Sequence, residues 1–268
     1  MPPKPFHRHY RARPLLFGHR GAREAAPENT LAAFRRAAEA GADGVELDVQ
    51  CTTDGVPVVF HDWTLERTTD GHGSLVQHTW AQLQGLDAGR WFSPAFAGER
   101  IPALSDVLAW AKGLGRPFLI NVELKARGWG DGRLEEAVAR AIEESGLEAQ
   151  VLVSSFNPWV LRRFGRRMPR VSLALLMAPD QPLPLRAGWL RRFCGADTLH
   201  PHHSLLTPIF LKRVRRRGIW VNTWTVNDPG LLERLWRWGV GMVCSDVPEA
   251  LVGAWKDGDY RAIRQECV

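Results

Sequence analysis

The chain has 268 residues, of which 45% are hydrophobic and 24% are charged, a balance typical of a globular enzyme with a sizeable core. No apolar run approaches the length that a membrane-spanning helix needs, and the basic N-terminus lacks the apolar segment of a secretory signal. The net charge of +6 comes mainly from arginine, and four scattered cysteines indicate neither a zinc site nor a disulfide framework, so we expect a cytoplasmic protein with reduced thiols.

Short apolar, strand-like runs alternate with helix-period segments along the whole chain. The strand candidates are residues 15–18, 44–49, 57–61, 118–124, 151–154, 171–177, 196–200, 219–224 and 241–245. Amphipathic stretches lie between most of them, at residues 30–40, 134–145, 158–168, 208–217 and 229–238. This alternation predicts an α/β fold with a parallel sheet, and a strand count near eight predicts a closed TIM-type (β/α)8 barrel.

The strand candidates exceed the eight places of such a barrel by one. The stretch from Cys51 to Gly55 reads Cys-Thr-Thr-Asp-Gly, which is a turn signal with no room for a crossover helix. We therefore expect an antiparallel hairpin at strands two and three. The hairpin would return His61 to the end of the barrel that carries Glu46 and Asp48.

Two segments do not follow the alternation. Residues 1–13 are rich in Pro and Arg and are predicted to form a flexible basic arm before a single barrel domain at 14–268. Residues 63–100 are rich in Gly, Thr, Asp and aromatics and show little periodicity. An insertion directly after a barrel strand would lie at the catalytic end, as a small lid or subdomain.

Acidic residues gather at the predicted ends of two strands. Glu46 and Asp48 are two residues apart and share one face of strand two, and Glu123 lies near the end of strand four. Three uncompensated carboxylates in one barrel mouth repel one another, and a divalent cation, Mg²⁺ or Ca²⁺, would relieve that cost. In the alternative, the carboxylates pair with Arg20 and Lys125 as a structural network, and spacing does not separate the two.

Two histidines directly follow apolar strands, His19 in LLFGHR and His61 in VVFHD. Because imidazole titrates near neutral pH, such a pair at the rim of a barrel suits a general acid and a general base. Arg20 and Lys125 are the cations expected to face a phosphate. His200 and His202, at the end of strand seven, are weaker candidates for lining the same pocket.

The motifs of the chain resemble, in order and spacing, those of the glycerophosphodiester phosphodiesterases, a family of phospholipase C-like phosphodiesterases. The matching segments are HRGA–PENT (His19 to Thr30), GADGVELDVQCTTDGVPVVFHD (Gly41 to Asp62), LERTTDGHG, IPAL, NVELK, SSFNP and VNTWTVN. The resemblance implies a TIM-type barrel that hydrolyses glycerophosphodiesters to glycerol 3-phosphate and an alcohol.

The resemblance also implies roles for particular residues. It implies a divalent metal ion held by Glu46, Asp48 and Glu123. The paired catalytic histidines of the family match His19 and His61, and its phosphate-contacting cations match Arg20 and Lys125.

Further positions at the edge of the site match less directly. Glu28 and Asn29 lie where the family keeps polar residues, and the alternative for Asn29 is an N-cap of the following helix. Phe156 and Trp224 lie just past strand ends, where they would form an apolar wall for the substrate or pack within the barrel. Asp246, at the end of the last strand, is predicted to bond loop backbone.

The predicted function is metal-dependent hydrolysis of a small glycerophosphodiester by general acid/base catalysis with two histidines. Arginine runs at 162–167, 186–192 and 212–217 and twelve tryptophans leave open a lysophospholipase D-like enzyme on lipid diesters, with weak membrane-surface contact. Each run taken alone is more typical of a solvated helix face. Non-catalytic phosphate or nucleic-acid binding is a remote alternative, and we expect no nucleic-acid partner because no recognised motif is present.

Overall fold

Eight parallel strands form a closed barrel in the computed structural model, which describes residues 4–10, 13–130 and 132–257, the last three by their backbone alone. The barrel strands are β1 (Leu15–His19), β2 (Gly44–Cys51), β4 (Leu119–Leu124), β5 (Val151–Ser155), β6 (Ser172–Met177), β7 (Thr198–Pro201), β8 (Trp220–Thr223) and β9 (Met242–Ser245). β1 closes the ring by pairing in parallel with both β2 and β9. The predicted TIM-type barrel is therefore confirmed.

The remaining strand, β3 (Pro57–Val59), pairs antiparallel with β2. Val49 lies opposite Val59, and the backbone N–H of Phe60 donates to the carbonyl of Asp48 at 2.9 Å. The expected hairpin is thus confirmed, and it leads the chain back to the carboxyl end of β2 just before His61.

Helices surround the barrel. They are α1 (Leu31–Ala40), α2 (Trp80–Leu83), α3 (Leu104–Lys112), α4 (Arg133–Ser145), α5 (Pro158–Arg167), α6 (Leu183–Arg186), α7 (Arg191–Cys194), α8 (Pro208–Arg215), α9 (Pro229–Arg237) and α10 (Pro248–Asp257). Three of the longer ones begin with a capping side chain followed by proline, since Asn157, Thr207 and Asp228 each accept a backbone N–H of the first turn. None of the helices in the described residues combines the length and apolar character needed to cross a membrane.

The hydrophobic core has an outer and an inner part. The outer and larger part lies between the strands and the helices, where residues such as Phe34, Val122 and Phe164 are fully buried. The inner part fills the barrel and includes Phe17 and Leu152. Strands that are apolar on both faces, as β5 and β6 are, follow from this double burial.

The N-terminal segment differs from the predicted flexible arm where the structure describes it. Residues Pro5–His9 form a 3-10 helix whose Phe6 is fully buried in the inner core. Tyr10 stacks on Trp220 with ring centroids 4.1 Å apart. The segment covers the end of the barrel at which the strands begin. Burial of Phe6 and stacking of Tyr10 hold it there despite its basic composition. Residues 1–3 and 11–12 of the predicted arm lie outside the described residues.

Residues 63–100 form a small unit with a hydrophobic cluster of its own. Leu65, Leu75 and Leu83 are fully buried there, together with Val58 from β3. The unit contains α2 and two 3-10 helices, Leu75–Gln77 and Pro94–Phe96. It follows the His61 end of the hairpin, so it lies beside the mouth of the barrel.

Candidate active site

A tight turn follows β1 and carries the first polar residues of the site. Arg20 and Gly21 have φ values of 54° and 86°, both in the left-handed region. A Cβ atom on Gly21 would lie 2.6 Å from the backbone carbon of Ala33, so α1 can approach this turn only because residue 21 is glycine. The turn aims the backbone N–H of Arg20 at Glu46 Oε2, 3.0 Å away.

Three carboxylates meet at the mouth of the barrel. Glu46 and Asp48 lie on β2, and the parallel register sets Asp48 directly opposite Glu123 on β4. One ligand oxygen from each of the three lies within 4.8 Å of the others. Oxygen donors in this number and spacing fit a hard divalent cation.

The electrostatics of the cluster are uneven. Burial and the charges of Asp48 and Glu123 raise the pKa of Glu46 well above its usual range. Burial and the charge of Asp48 raise the pKa of Glu123 to about 7. Ionisation of all three carboxylates is therefore unfavourable with the protein's own cations alone, and a bound divalent ion would relieve that cost.

Asp48 is the carboxylate of the cluster that lies beside two cations, although Lys125 Nζ also lies 3.8 Å from Glu123 Oε1. Lys125 Nζ lies 3.5 Å from Asp48 Oδ1, and Arg20 Nε lies 3.3 Å from Asp48 Oδ2. Although burial opposes ionisation, these two cations hold the pKa of Asp48 well below its usual range. The structural network considered from the sequence thus exists around Asp48 but leaves Glu46 largely outside it.

His19 is oriented by a carboxylate from the far end of the chain. Its Nδ1 lies 2.7 Å from Asp246 Oδ1, and its Nε2 lies 3.9 Å from Glu46 Oε2. Asn227 holds Asp246 in turn, by donating from Nδ2 to Oδ2 at 2.8 Å. Asp246 was expected to bond loop backbone. Among the described residues, its carboxylate instead contacts the side chains of His19, Asn227 and Arg23.

His61 is likewise supported by a carboxylate at Nδ1. Its Nδ1 lies 2.6 Å from Asp62 Oδ1, and Arg67 donates to both oxygens of Asp62. Burial lowers the pKa of His61, while the charge of Asp48 acts in the opposite direction. The two histidines therefore share one design, with a carboxylate at Nδ1 that leaves Nε2 for a reacting group.

Glu28 joins three arginines at the rim. Its carboxylate accepts from Arg20 Nη1 at 2.9 Å and from both terminal nitrogens of Arg67 at 2.7 and 3.1 Å, and Arg23 lies 3.5 Å away. Burial acts against ionisation, but Arg67 and Arg20 outweigh it and lower the pKa of Glu28. Glu28 therefore links the turn after β1 to residues 63–100.

Asn29 does not cap the following helix, so that alternative was wrong. Thr30 is the N-cap of α1, and its hydroxyl accepts from the backbone N–H of Ala33. Asn29 has a left-handed backbone, with φ at 57°, and its Nδ2 donates to Asp48 Oδ2 at 3.0 Å. The side chain faces the site because the turn is left-handed at this position.

Two aromatic side chains pack against each other near the acidic cluster. Phe156 and Trp224 pack edge to face with ring centroids 5.7 Å apart. Trp224 Nε1 donates to the carbonyl of His200 at 2.9 Å, and His200 lines the floor of the pocket together with Glu46 and Glu123. Trp224 therefore lines the pocket beside Glu46 and Glu123, and Phe156 packs against it.

A further aromatic side chain at the mouth, Trp63, was not predicted from the sequence. Arg127 lies over its ring at 4.3 Å and Lys125 at 5.8 Å. Trp63 begins the segment without periodicity, and a contact of this kind leaves no pattern in the sequence.

Comparison with known proteins assigns the chain to a family. The sequence matches the model of the glycerophosphoryl diester phosphodiesterase family over residues 19–250. The chain belongs to this family. The matched range includes the acidic cluster and both histidines.

Individual family members resemble the chain over most of its length. A glycerophosphodiester phosphodiesterase from Caldanaerobacter subterraneus is 38% identical over 91% of this chain and 98% of its own. One from Bacillus altitudinis is 41% identical over 88% of this chain and 96% of its own. The structure of an Oleispira antarctica phosphodiesterase in complex with its product sn-glycerol-3-phosphate is 30% identical, covers 91% of this chain and 97% of its own, and has a TM-score of 0.83. The chain is accordingly an enzyme of the glycerophosphodiester phosphodiesterase class.

Proposed function

We propose that the chain hydrolyses small glycerophosphodiesters to sn-glycerol 3-phosphate and an alcohol. The observation that carries the proposal is the convergence of three carboxylates and two carboxylate-supported histidines in one barrel mouth. The product complex of the Oleispira antarctica relative supports the choice of substrate class.

Glu46, Asp48 and Glu123 are proposed to hold a divalent cation, Mg²⁺ or Ca²⁺. Support comes from the raised pKa values of Glu46 and Glu123, which indicate that the protein's own cations do not stabilise all three carboxylates in the ionised form. A bound ion would supply Lewis-acid polarisation of a phosphate oxygen. Oxygen-only donors fit Mg²⁺ and Ca²⁺ better than softer metals.

His19 and His61 are proposed to move the protons. Asp246 and Asp62 accept from Nδ1 of the two rings, so each ring presents Nε2 to the substrate. We assign His19 as the base that removes a proton from the attacking oxygen. We assign His61 as the acid that protonates the departing alkoxide.

Arg20 and Lys125 are proposed to bind the phosphate. Both already lie within 3.5 Å of Asp48, so their charges are held at the mouth before a substrate arrives. Arg20 offers a planar fork for phosphate oxygens and Lys125 a compact charge. Phe156 and Trp224 would contact the apolar edge of the glycerol, with Glu28 and Asn29 fixing Arg20 and Asp48 from behind.

The attacking group is either water or the glycerol 2-hydroxyl, and the second gives a cyclic phosphate first. Phosphorus NMR during turnover separates them, because a cyclic glycerol phosphate has a signal distinct from that of glycerol 3-phosphate. A transient cyclic signal indicates the 2-hydroxyl, and direct appearance of glycerol 3-phosphate indicates water.

Product analysis tests the reaction itself. Glycerophosphocholine should yield sn-glycerol 3-phosphate and choline in equal amounts. Release of phosphocholine and glycerol would place the cleaved bond on the other side of phosphorus and contradict the proposal. Cleavage of lysophosphatidylcholine but not of glycerophosphocholine would favour the second candidate, a lysophospholipase D-like enzyme, which the basic surface with exposed tryptophan supports.

A further inference from the structure

The outer surface formed by α6, α7 and α8 carries a large excess of positive charge. Between residues 183 and 227 the only acidic residue in the sequence is Asp197, which pairs with Lys4. The basic residues in this range are Arg186, Arg191, Arg192, Lys212, Arg213, Arg215, Arg216 and Arg217. Within the described part of the chain, none of these cations forms an ion pair with a carboxylate.

Large apolar side chains stand exposed on the same surface. The exposed fractions of Leu183, Trp189 and Ile209 are 51%, 65% and 82%. Leu183 follows the carboxyl end of β6 and Ile209 is the second residue of α8, so both lie toward the catalytic end of the barrel. Such exposure of three large apolar residues around uncompensated cations is unusual for a surface that faces only water.

A groove with a volume of about 670 Å³ runs between α6–α7 and α8. Its walls carry five arginines, Arg186, Arg191, Arg192, Arg213 and Arg217. Burial and the neighbouring charges of Arg192 and Arg217 lower the pKa of Arg191, a sign that like charges crowd here. Two exposed acids flank this stretch of the sequence, Asp180 before α6 and Asp228 at the start of α9.

We propose that this surface, comprising Leu183, Trp189, Ile209 and the five groove arginines, docks on an anionic phospholipid surface. The arginines match headgroup phosphates, and Trp189 matches the boundary between headgroups and acyl chains. Because Leu183 and Ile209 lie toward the catalytic end, docking would hold the barrel mouth near the lipid. The inference concerns binding alone and does not depend on the proposed reaction.

Two other occupants fit less well. A second copy of the chain in a two-fold interface would bring two sets of unpaired arginines together. A nucleic acid would match the charge but would leave exposed aliphatic side chains such as Leu183 and Ile209 without a role. Charge and apolar character together therefore favour the lipid surface.

Co-sedimentation with vesicles tests the proposal. We expect the protein to bind vesicles of phosphatidylcholine mixed equally with phosphatidylglycerol and not vesicles of phosphatidylcholine alone. Reversing two charges, with Arg213→Glu and Arg217→Glu together, should weaken binding at least ~20-fold, since each basic residue near such a surface contributes about fivefold. The double variant Trp189→Ala and Ile209→Ala should weaken it as well.

The matched control is Arg35→Glu with Arg36→Glu, which makes the same charge change on exposed positions of α1, across the barrel. This control should retain most of the vesicle binding. Equal losses in the two charge-reversal variants, or no binding by the unaltered protein, would overturn the proposal. The proposal would also be overturned if the protein bound duplex DNA through Arg213 and Arg217 and did not bind vesicles.

Release of glycerol 3-phosphate without vesicles reports that each variant is folded. A protein that binds vesicles but lacks this activity would contradict only the proposed reaction.

Discussion

His19 and Asp246 stand 227 positions apart and are joined by a 2.7 Å hydrogen bond between Nδ1 and Oδ1. The bond exists because β1 and β9 are neighbours in the closed ring. Burial opposes ionisation of Asp246, but the contacts with His19, Asn227 and Arg23 together outweigh it and lower the pKa of that carboxyl. An ionised carboxylate only accepts, so the proton lies on Nδ1 of His19 and Nε2 is left to act as a base.

Asp246→Asn should therefore lower kcat by roughly 10- to 100-fold while changing KM little. The amide can donate to Nδ1 and so favours the other tautomer of His19. Steady-state kinetics on glycerophosphocholine measures the effect, and Asp228→Asn, which preserves the cap of α9, is the control. In a variant that already carries His19→Ala the same change should cost little more, whereas an independent loss would show that Asp246 acts without His19.

Removing His61 should affect the chemical step directly. His61→Ala is expected to lower kcat by roughly 10²- to 10⁴-fold, the range for loss of a general acid. His72→Ala, at an exposed position within residues 63–100, should leave kcat unchanged. A substrate whose leaving alcohol is more acidic should recover much of the loss in His61→Ala, and failure of that rescue would argue against an acid role.

Glu28 should matter for stability because three arginines surround one buried carboxylate. Glu28→Ala is expected to reduce the free energy of unfolding by about 3 kcal/mol, as found when one partner of a buried ion pair is removed. Urea denaturation measures the change. Glu136→Ala, which removes an exposed pair with Arg167, should cost no more than about 1 kcal/mol. Equal and small effects of the two changes would mean that the ion pairs of Glu28 contribute little to the free energy of unfolding.

His200 should make stability depend on pH. Burial lowers the pKa of His200 to about 3, so as the pH falls below 6.5 the unfolded chain takes up a proton that the folded chain does not. The stabilisation is complete above pH 6.5 and is lost as the pH falls toward 3. By about pH 5 the loss through this residue is about 2 kcal/mol.

The comparison that isolates His200 is with His200→Gln, with urea denaturation of both proteins at neutral pH and near pH 5 in the presence of a chelator. The unaltered protein should lose more stability than the variant over this range. A constant difference between the two would show that His200 is not kept neutral in the fold.

The sequence predicted the parts of the fold and site that depend on local pattern. Alternation of strand and helix signals, together with the turn at Cys51–Gly55, sufficed for the barrel and for the β2–β3 hairpin. Polar residues at strand ends sufficed to bring Glu46, Asp48, Glu123, His19 and His61 together. In a parallel barrel all strand ends meet at one face, so position along a strand fixes position in space.

What the sequence missed depends on contacts between distant residues or on special backbone. The bond from Asp246 to His19 needs the closed ring, and the contact of Arg67 with Glu28 needs the fold of an aperiodic segment. Asn29 faces Asp48 because of a left-handed φ that composition does not reveal. Phe6 and Tyr10 pack under the barrel although the surrounding residues are polar and basic.

The dependence of turnover on a divalent ion tests the central claim most directly. The protein is stripped with EDTA, and release of sn-glycerol 3-phosphate from glycerophosphocholine is measured before and after addition of Mg²⁺ or Ca²⁺. Glu46→Gln is compared with Glu143→Gln, which alters an exposed position of α4. We predict release that requires the ion, that persists in Glu143→Gln and that is lost in Glu46→Gln. Undiminished release by the stripped protein, or by Glu46→Gln, would contradict a metal site formed by Glu46, Asp48 and Glu123.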